Sequence, residues 1–112
     1  LFRSLYRRQP EAGAIVHTHP INLLALSLQH SGNLLDLSLY EGEAFRNMFT
    51  TVQAFRPGSE QLARAVADAA CGSKAIFLQG HGLVCWEDSL PRALALSEEI
   101  ESLAEIQLLS KS

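Results

Sequence analysis

Cysteine is scarce: the 112-residue chain has two, Cys71 and Cys85. They form no Cys-x-x-Cys pair, which excludes a zinc ribbon, and nothing in the sequence favours a disulfide between them. They read as buried or half-buried free thiols of a reducing compartment, so a cytoplasmic location is expected. Long apolar runs are also missing. The longest, around Ile21 to Leu28, is interrupted by Asn22 and Ser27 and falls short of the roughly 20 residues a membrane span needs. No basic start precedes an apolar run and a small-residue cleavage site, so no signal peptide is expected. Positive charge is in deficit, with 9 Lys plus Arg against 12 Asp plus Glu and a net charge of -3. Without a basic stripe, nucleic acid is not an expected partner, and neither is a membrane. What remains is 47% hydrophobic and 19% charged, a globular composition that excludes a disordered chain. A chain of this length makes one domain and buries roughly two thirds of its unfolded surface. It needs neither disulfide nor metal merely to fold.

Leu1, Phe2, Leu5 and Tyr6 recur at helical spacing, Arg7 and Arg8 suit a helix C-terminus, and Pro10 stops the run. No N-cap precedes Leu1, so the chain is expected to start inside a helix, with further residues upstream. Ala12 to His17 reads as a buried strand. Pro20 opens a helix through Leu23, Leu24, Leu26 and Leu28. His30-Ser31-Gly32-Asn33 is a turn cluster, and Leu35, Leu37 and Leu39 alternate as in a short half-exposed strand. Tyr40 to Asn47 reads ambiguously, as a helical turn at most. Phe49 to Phe55 reads as a strand closed by Pro57-Gly58. Ser59 caps a helix that buries Leu62, Val66 and Ala69 or Ala70, and Gly72 ends it at C′. Ala75 to Leu78 and Leu83 to Trp86 are strands flanking Gln79-Gly80-His81-Gly82. Asp88 or Ser89 starts a final helix of about 20 residues, roughly 30 Å long. Strands alternate with helices, so the class is α/β, with helices covering a sheet.

The histidines carry the chemistry. His17 and His19 stand at i and i+2 at a strand end, where both side chains point to one face. Their Cβ atoms lie roughly 7 Å apart along the strand, close enough for two imidazoles to converge on one ion. His81 follows another strand between two glycines, which allow a sharp turn and leave the ring uncrowded. Both groups fall at carboxyl ends of strands, where open α/β sheets gather their ligands. Spacing alone leaves two readings open: a metal site, or two half-buried polar residues bonded to backbone. His30, in a turn at a helix end, reads as a solvated or dipole-interacting residue. Three neutral imidazoles with an open position describe a catalytic rather than a structural zinc site. Such a site still needs a general acid/base, and Asp36, Glu41, Glu43 and Glu87 lie off the obvious helices. Glu41 and Glu43 fall in the irregular stretch after the Leu-rich strand, the kind of loop that can carry function, and either also reads as a solvated surface carboxylate.

The segments Pro10-Glu11-Ala12-Gly13-Ala14-Ile15-Val16-His17-Thr18-His19-Pro20, Pro57-Gly58-Ser59-Glu60-Gln61-Leu62 and Ala75 to Trp86 resemble the class II aldolase/adducin family. So does the final helix with Glu98, Glu99, Glu101 and Leu103-Ala104-Glu105-Ile106. The resemblance covers nearly the whole chain in the family's order. It implies a three-layer α/β/α sandwich with a mixed, largely antiparallel central sheet. It implies that residues 1–112 are the C-terminal portion of a single such domain. It also implies that His17, His19 and His81 bind a divalent metal, usually zinc. Family members cleave or rearrange small sugar phosphates and related hydroxyketones, the metal stabilising the enediolate formed as a carbon–carbon bond breaks.

By the same resemblance, an acidic residue and the phosphate-binding loops would fall upstream of Leu1. In dehydratase-type relatives a Gln-Glu motif follows the His-x-His helix. Here Gly42-Glu43 takes that place, with Gly for Gln, so Glu43 is the candidate acid/base. A homo-oligomer, a tetramer in the family, is implied as well. The expected activity is therefore a zinc-dependent aldehyde-lyase on a small sugar phosphate, which the 112 residues alone need not sustain. Dehydration, decarboxylation and epimerisation are alternatives within the family. A non-catalytic adducin-like interaction module and metal-dependent hydrolysis are alternatives outside that chemistry.

Overall fold

The computed structural model describes residues 2–29 and 48–110. Among them, α1 (Phe2–Arg8), β1 (Ala14–Thr18) and α2 (Ile21–Gln29) come first. Next are β2 (Phe49–Val52), α3 (Glu60–Ala70), β3 (Ala75–Leu78), β4 (Gly82–Glu87) and α4 (Leu90–Ser110). The strands form one sheet in the order β1-β4-β3-β2. β4 runs antiparallel to both β1 and β3, and β2 runs parallel to β3. The sheet is thus mixed, with antiparallel pairings in the majority. β1, β2 and β3 all point the same way, so their carboxyl ends share one edge.

Side chains alternate across β3 and β4, and both faces are covered. Ala75, Phe77, Leu83 and Cys85 pack against Leu23 and Leu26 of α2 and Leu96, Ile100, Leu103 and Ala104 of α4. Ile76, Leu78, Val84 and Trp86 pack against Leu5 of α1 and Leu62, Val66 and Ala70 of α3. A strand buried on both faces reads as a continuous apolar run rather than an alternating one, as Ala75–Leu78 does. The three-layer α/β/α arrangement is the expected one.

Several local expectations change. β1 is half-buried beyond Ala14 rather than buried, because among the described residues only β4 flanks it. Ser59 caps α3 as expected, its Oγ accepting from Leu62 N at 3.1 Å. Gly72 does not take the left-handed conformation of a C′ glycine; the Gly72 and Ser73 N–H groups both bond the Ala69 carbonyl instead. Ser89 starts α4, its carbonyl accepting from Ala93 N at 3.0 Å. Cys71 is exposed and Cys85 buried, both as free thiols. The expected turn at His30, the strand around Leu37 and the turn at Tyr40 to Asn47 lie outside the described residues. No described helix is long and apolar enough to cross a membrane.

Candidate metal centre

The β1–β4 ladder sets His17 opposite Val84 and Thr18 opposite Leu83. This brings the end of β1 to the start of β4, where the β3–β4 turn carries His81. The turn is closed by His81 N donating to the Leu78 carbonyl at 2.8 Å. Gly80 sits in it at φ +73, a value that favours glycine at the third position of a type II turn.

Gly82 serves a different need. A Cβ there would stand 2.5 Å from the Thr18 carbonyl oxygen and 3.1 Å from both His17 Cε1 and His19 Cδ2. Two imidazoles thus occupy the space a side chain at residue 82 would fill.

The three rings meet. One ligating atom from each of His17, His19 and His81 lies within 4.8 Å of the others. Ring centroids are 4.9 Å apart for His17 and His19, 5.1 Å for His17 and His81, and 6.0 Å for His19 and His81. A zinc–nitrogen bond is about 2.0–2.1 Å, which asks for ligand nitrogens roughly 3–4 Å apart. The separation found, at most 4.8 Å, is close to that.

His17 Nδ1 lies 3.0 Å from the Leu83 carbonyl oxygen. A carbonyl only accepts, so Nδ1 carries the proton and Nε2 is left as the ligating nitrogen, an orientation typical of metal-binding histidines. Burial pushes the His17 pKa below its ordinary 6.5, and repulsion from His19 and His81 adds to this; the backbone bond to Leu83 opposes it. The neutral, ligating form is therefore favoured. Three imidazoles suit a divalent transition ion, and the donor set, the fixed tautomer and the space left by Gly82 all fit one.

The surroundings are open on one side. His19 is exposed while His17 and His81 are half-buried. A groove of about 470 Å³ runs beside His19, lined by Thr18, Pro20, Leu94, Ser97, Glu98 and Ser102 among others. A second groove of about 370 Å³, lined by Ser4, Arg7, Arg8, Glu60 and Arg64, belongs to the α1–α3 layer and borders none of the histidines.

Of the acidic candidates, Glu87 ends β4 opposite Ala14, at the far edge of the sheet, and pairs with Lys74 Nζ at 3.1 Å. It belongs to no site with the histidines. Asp36, Glu41 and Glu43, like His30, lie outside the described residues. Sequence reasoning missed the Leu83 carbonyl and the packing role of Gly82. Neither leaves a signal, because each depends on the register between strands 66 residues apart.

The comparisons with known proteins bear on family and fold. The family model for the Class II Aldolase and Adducin N-terminal domain matches residues 1–108. The chain is 32% identical to the L-fuculose phosphate aldolase of Escherichia coli (strain K12) over 103 residues, 92% of this chain and 47% of that protein. It is 33% identical to the 3-oxo-tetronate 4-phosphate decarboxylase of Cupriavidus necator over 115 residues, 99% of this chain and 52% of that protein. The crystal structure of L-fuculose-1-phosphate aldolase from Thermus thermophilus superposes with a TM-score of 0.81 at 30% identity. That match covers 98% of this chain and 58% of the other. The chain thus spans about half the length of the curated relatives it matches.

Proposed function

Since this chain belongs to the class II aldolase and adducin family, we propose that it carries the metal centre of a lyase acting on a small sugar phosphate. His17, His19 and His81 hold one divalent cation, zinc by the chemistry of three imidazoles. The observation that carries this reading is the approach of three rings, from two chain segments, to within 4.8 Å. When bound, the ion supplies electrophilic catalysis, withdrawing charge from a hydroxyketone as its carbon–carbon bond breaks.

The chain's own residues set the stage. Leu83 fixes the His17 tautomer, Gly80 turns the chain so that His81 faces the pair, and Gly82 leaves room for two rings. The exposed side at His19 is where substrate oxygens enter. Glu43 is the proposed acid/base. Aldol cleavage is the first reading and decarboxylation the second, since relatives of both kinds match at 32% and 33% identity. We also propose a homotetramer working in the cytoplasm. The large apolar side chains left exposed, Ile21, Leu28, Leu90 and Leu109, and the two free thiols support these assignments.

Elemental analysis of chelator-treated and zinc-reloaded protein tests the centre. One ion per chain is expected, and none after a joint change of His17, His19 and His81 to Ala. Failure of the unaltered chain to take up any divalent ion overturns the reading. Assays of L-fuculose phosphate cleavage and of 3-oxo-tetronate 4-phosphate decarboxylation separate the two reactions, and loss of turnover in Glu43→Gln with metal retained tests the acid/base.

A further inference from the structure

His19 stands just outside the ladder that holds His17. The last β1–β4 pair is Thr18 with Leu83, and α2 begins only at Ile21. The His19–Pro20 corner between them pairs with no strand among the described residues. Pro20 accepts the first bond of α2, from Leu24 N at 2.9 Å, and so occupies the N-cap. Proline there has no side-chain oxygen for the free N–H groups of the first turn.

Glu101 of α4 supplies the acceptors instead. Its Oε2 accepts from the Asn22 backbone N at 2.9 Å and from Asn22 Nδ2 at 3.0 Å, and its Oε1 accepts from Leu23 N at 3.0 Å. A carboxylate in this position also meets the positive end of the helix. One turn earlier on α4, the hydroxyl of buried Ser97 lies 3.0 Å from the Thr18 hydroxyl. Ser97 and Glu101, four apart on one helix face, therefore hold Thr18, just before the corner, and Asn22 and Leu23, in the first turn of the helix that follows it.

We propose that these two anchors set where the His19 imidazole stands, which makes Ser97 and Glu101 positioning residues for the metal centre. They act through Thr18 and the first turn of α2 and touch no ion themselves. The proposal rests on the three histidines being ligands. A cap that served only helix stability would leave the ring's position unchanged when removed.

The test titrates the full chain with Co²⁺, followed by visible absorption, beside Ser97→Ala, Glu101→Ala and the double variant. Leu62→Ala, in the α1–α3 layer, is the control for lost stability alone. Each anchor variant should bind Co²⁺ roughly 10-fold more weakly, the usual scale for a residue that orients a ligand, and shift the ligand-field spectrum. Glu101→Gln, which keeps one acceptor oxygen, should recover part of the affinity. Leu62→Ala should melt lower with affinity and spectrum unchanged. Anchor variants that melt lower yet keep wild-type affinity and spectrum overturn the proposal.

A second readout needs no metal. The NMR contact between the His19 ring and Gly82 Hα should fade in the double variant while that of His17 persists; full retention of the His19 contact overturns the proposal. An unaltered chain that takes up no Co²⁺ removes the metal reading alone, and the NMR contact then decides the anchors.

Discussion

His17 donates its Nδ1–H to the carbonyl oxygen of Leu83 at 3.0 Å, so a strand 66 residues away in sequence decides which nitrogen of the imidazole carries the proton. The same ring is pushed toward its neutral form, first by burial and then by the two other imidazoles. Proton uptake at His17 is thereby coupled to stability.

The sign follows from linkage. The folded chain protonates His17 at lower pH than the unfolded chain, whose value is near 6.5. Above that pH both states are neutral there and the full contribution is present; as pH falls through and below it, the unfolded chain gains the proton first and stability is lost. The metal-free protein should melt progressively lower between pH 7 and pH 5, roughly the window of imidazole titration. The His17 ring resonance should titrate with a midpoint below 6.5. A midpoint above the ordinary value contradicts this account.

Gly82→Ala places a methyl 2.5 Å from the Thr18 carbonyl oxygen and 3.1 Å from two imidazole carbons. Overpacking of this kind costs about 1–3 kcal/mol, and the end of β1, with the two histidines on either side of Thr18, must shift to relieve it. The variant should therefore lose both thermal stability and divalent-ion affinity. Gly72→Ala, with nothing within 4 Å of its new methyl, should lose neither.

The two thiols should separate cleanly under alkylation. Burial, with Glu87 adding repulsion, pushes the Cys85 thiol up to about 12, and its side chain is 0% exposed. Iodoacetamide at pH 8 should modify exposed Cys71 and leave Cys85 untouched until denaturant is added, as intact mass will report.

Ser59→Ala should cost about 1 kcal/mol, because it removes the acceptor for Leu62 N. Ile100→Ala, in the packed layer between α4 and the sheet, should cost about 2–5 kcal/mol. Chemical denaturation of the two variants checks the order.

Much of the fold was legible because local signals carried it. Ala75–Leu78 has no polar residue to offer solvent, Ser59-Glu60 spells a helix start, and Pro20 marks the entry to α2. The meeting of the three histidines was legible as an expectation, since His-x-His at a strand end and a glycine-flanked His after another strand each fall where ligands gather. The strand order was not. It depends on β1 pairing with β4 across more than 60 residues, and no window of sequence contains both partners. For the same reason Gly82 read as freedom for the backbone to turn, although its requirement is the close approach of the Thr18 carbonyl, with two imidazoles packed beside it. Glu101 read only as part of the final helix by which the chain resembles the family. The absence of an Asp, Ser or Asn before Ile21 was the one signal that α2 must borrow its cap.

The centre joins position 17 to position 81, and the chain between them forms a closed loop when the three rings meet. A cation shared by those positions would act as a reversible tether across more than half of the polypeptide. It would bind only the native arrangement and stabilise it in proportion to its concentration. No partly assembled chain lacking β4 could present the full set of nitrogens. Occupancy of the centre would then report that this distant pairing has been completed.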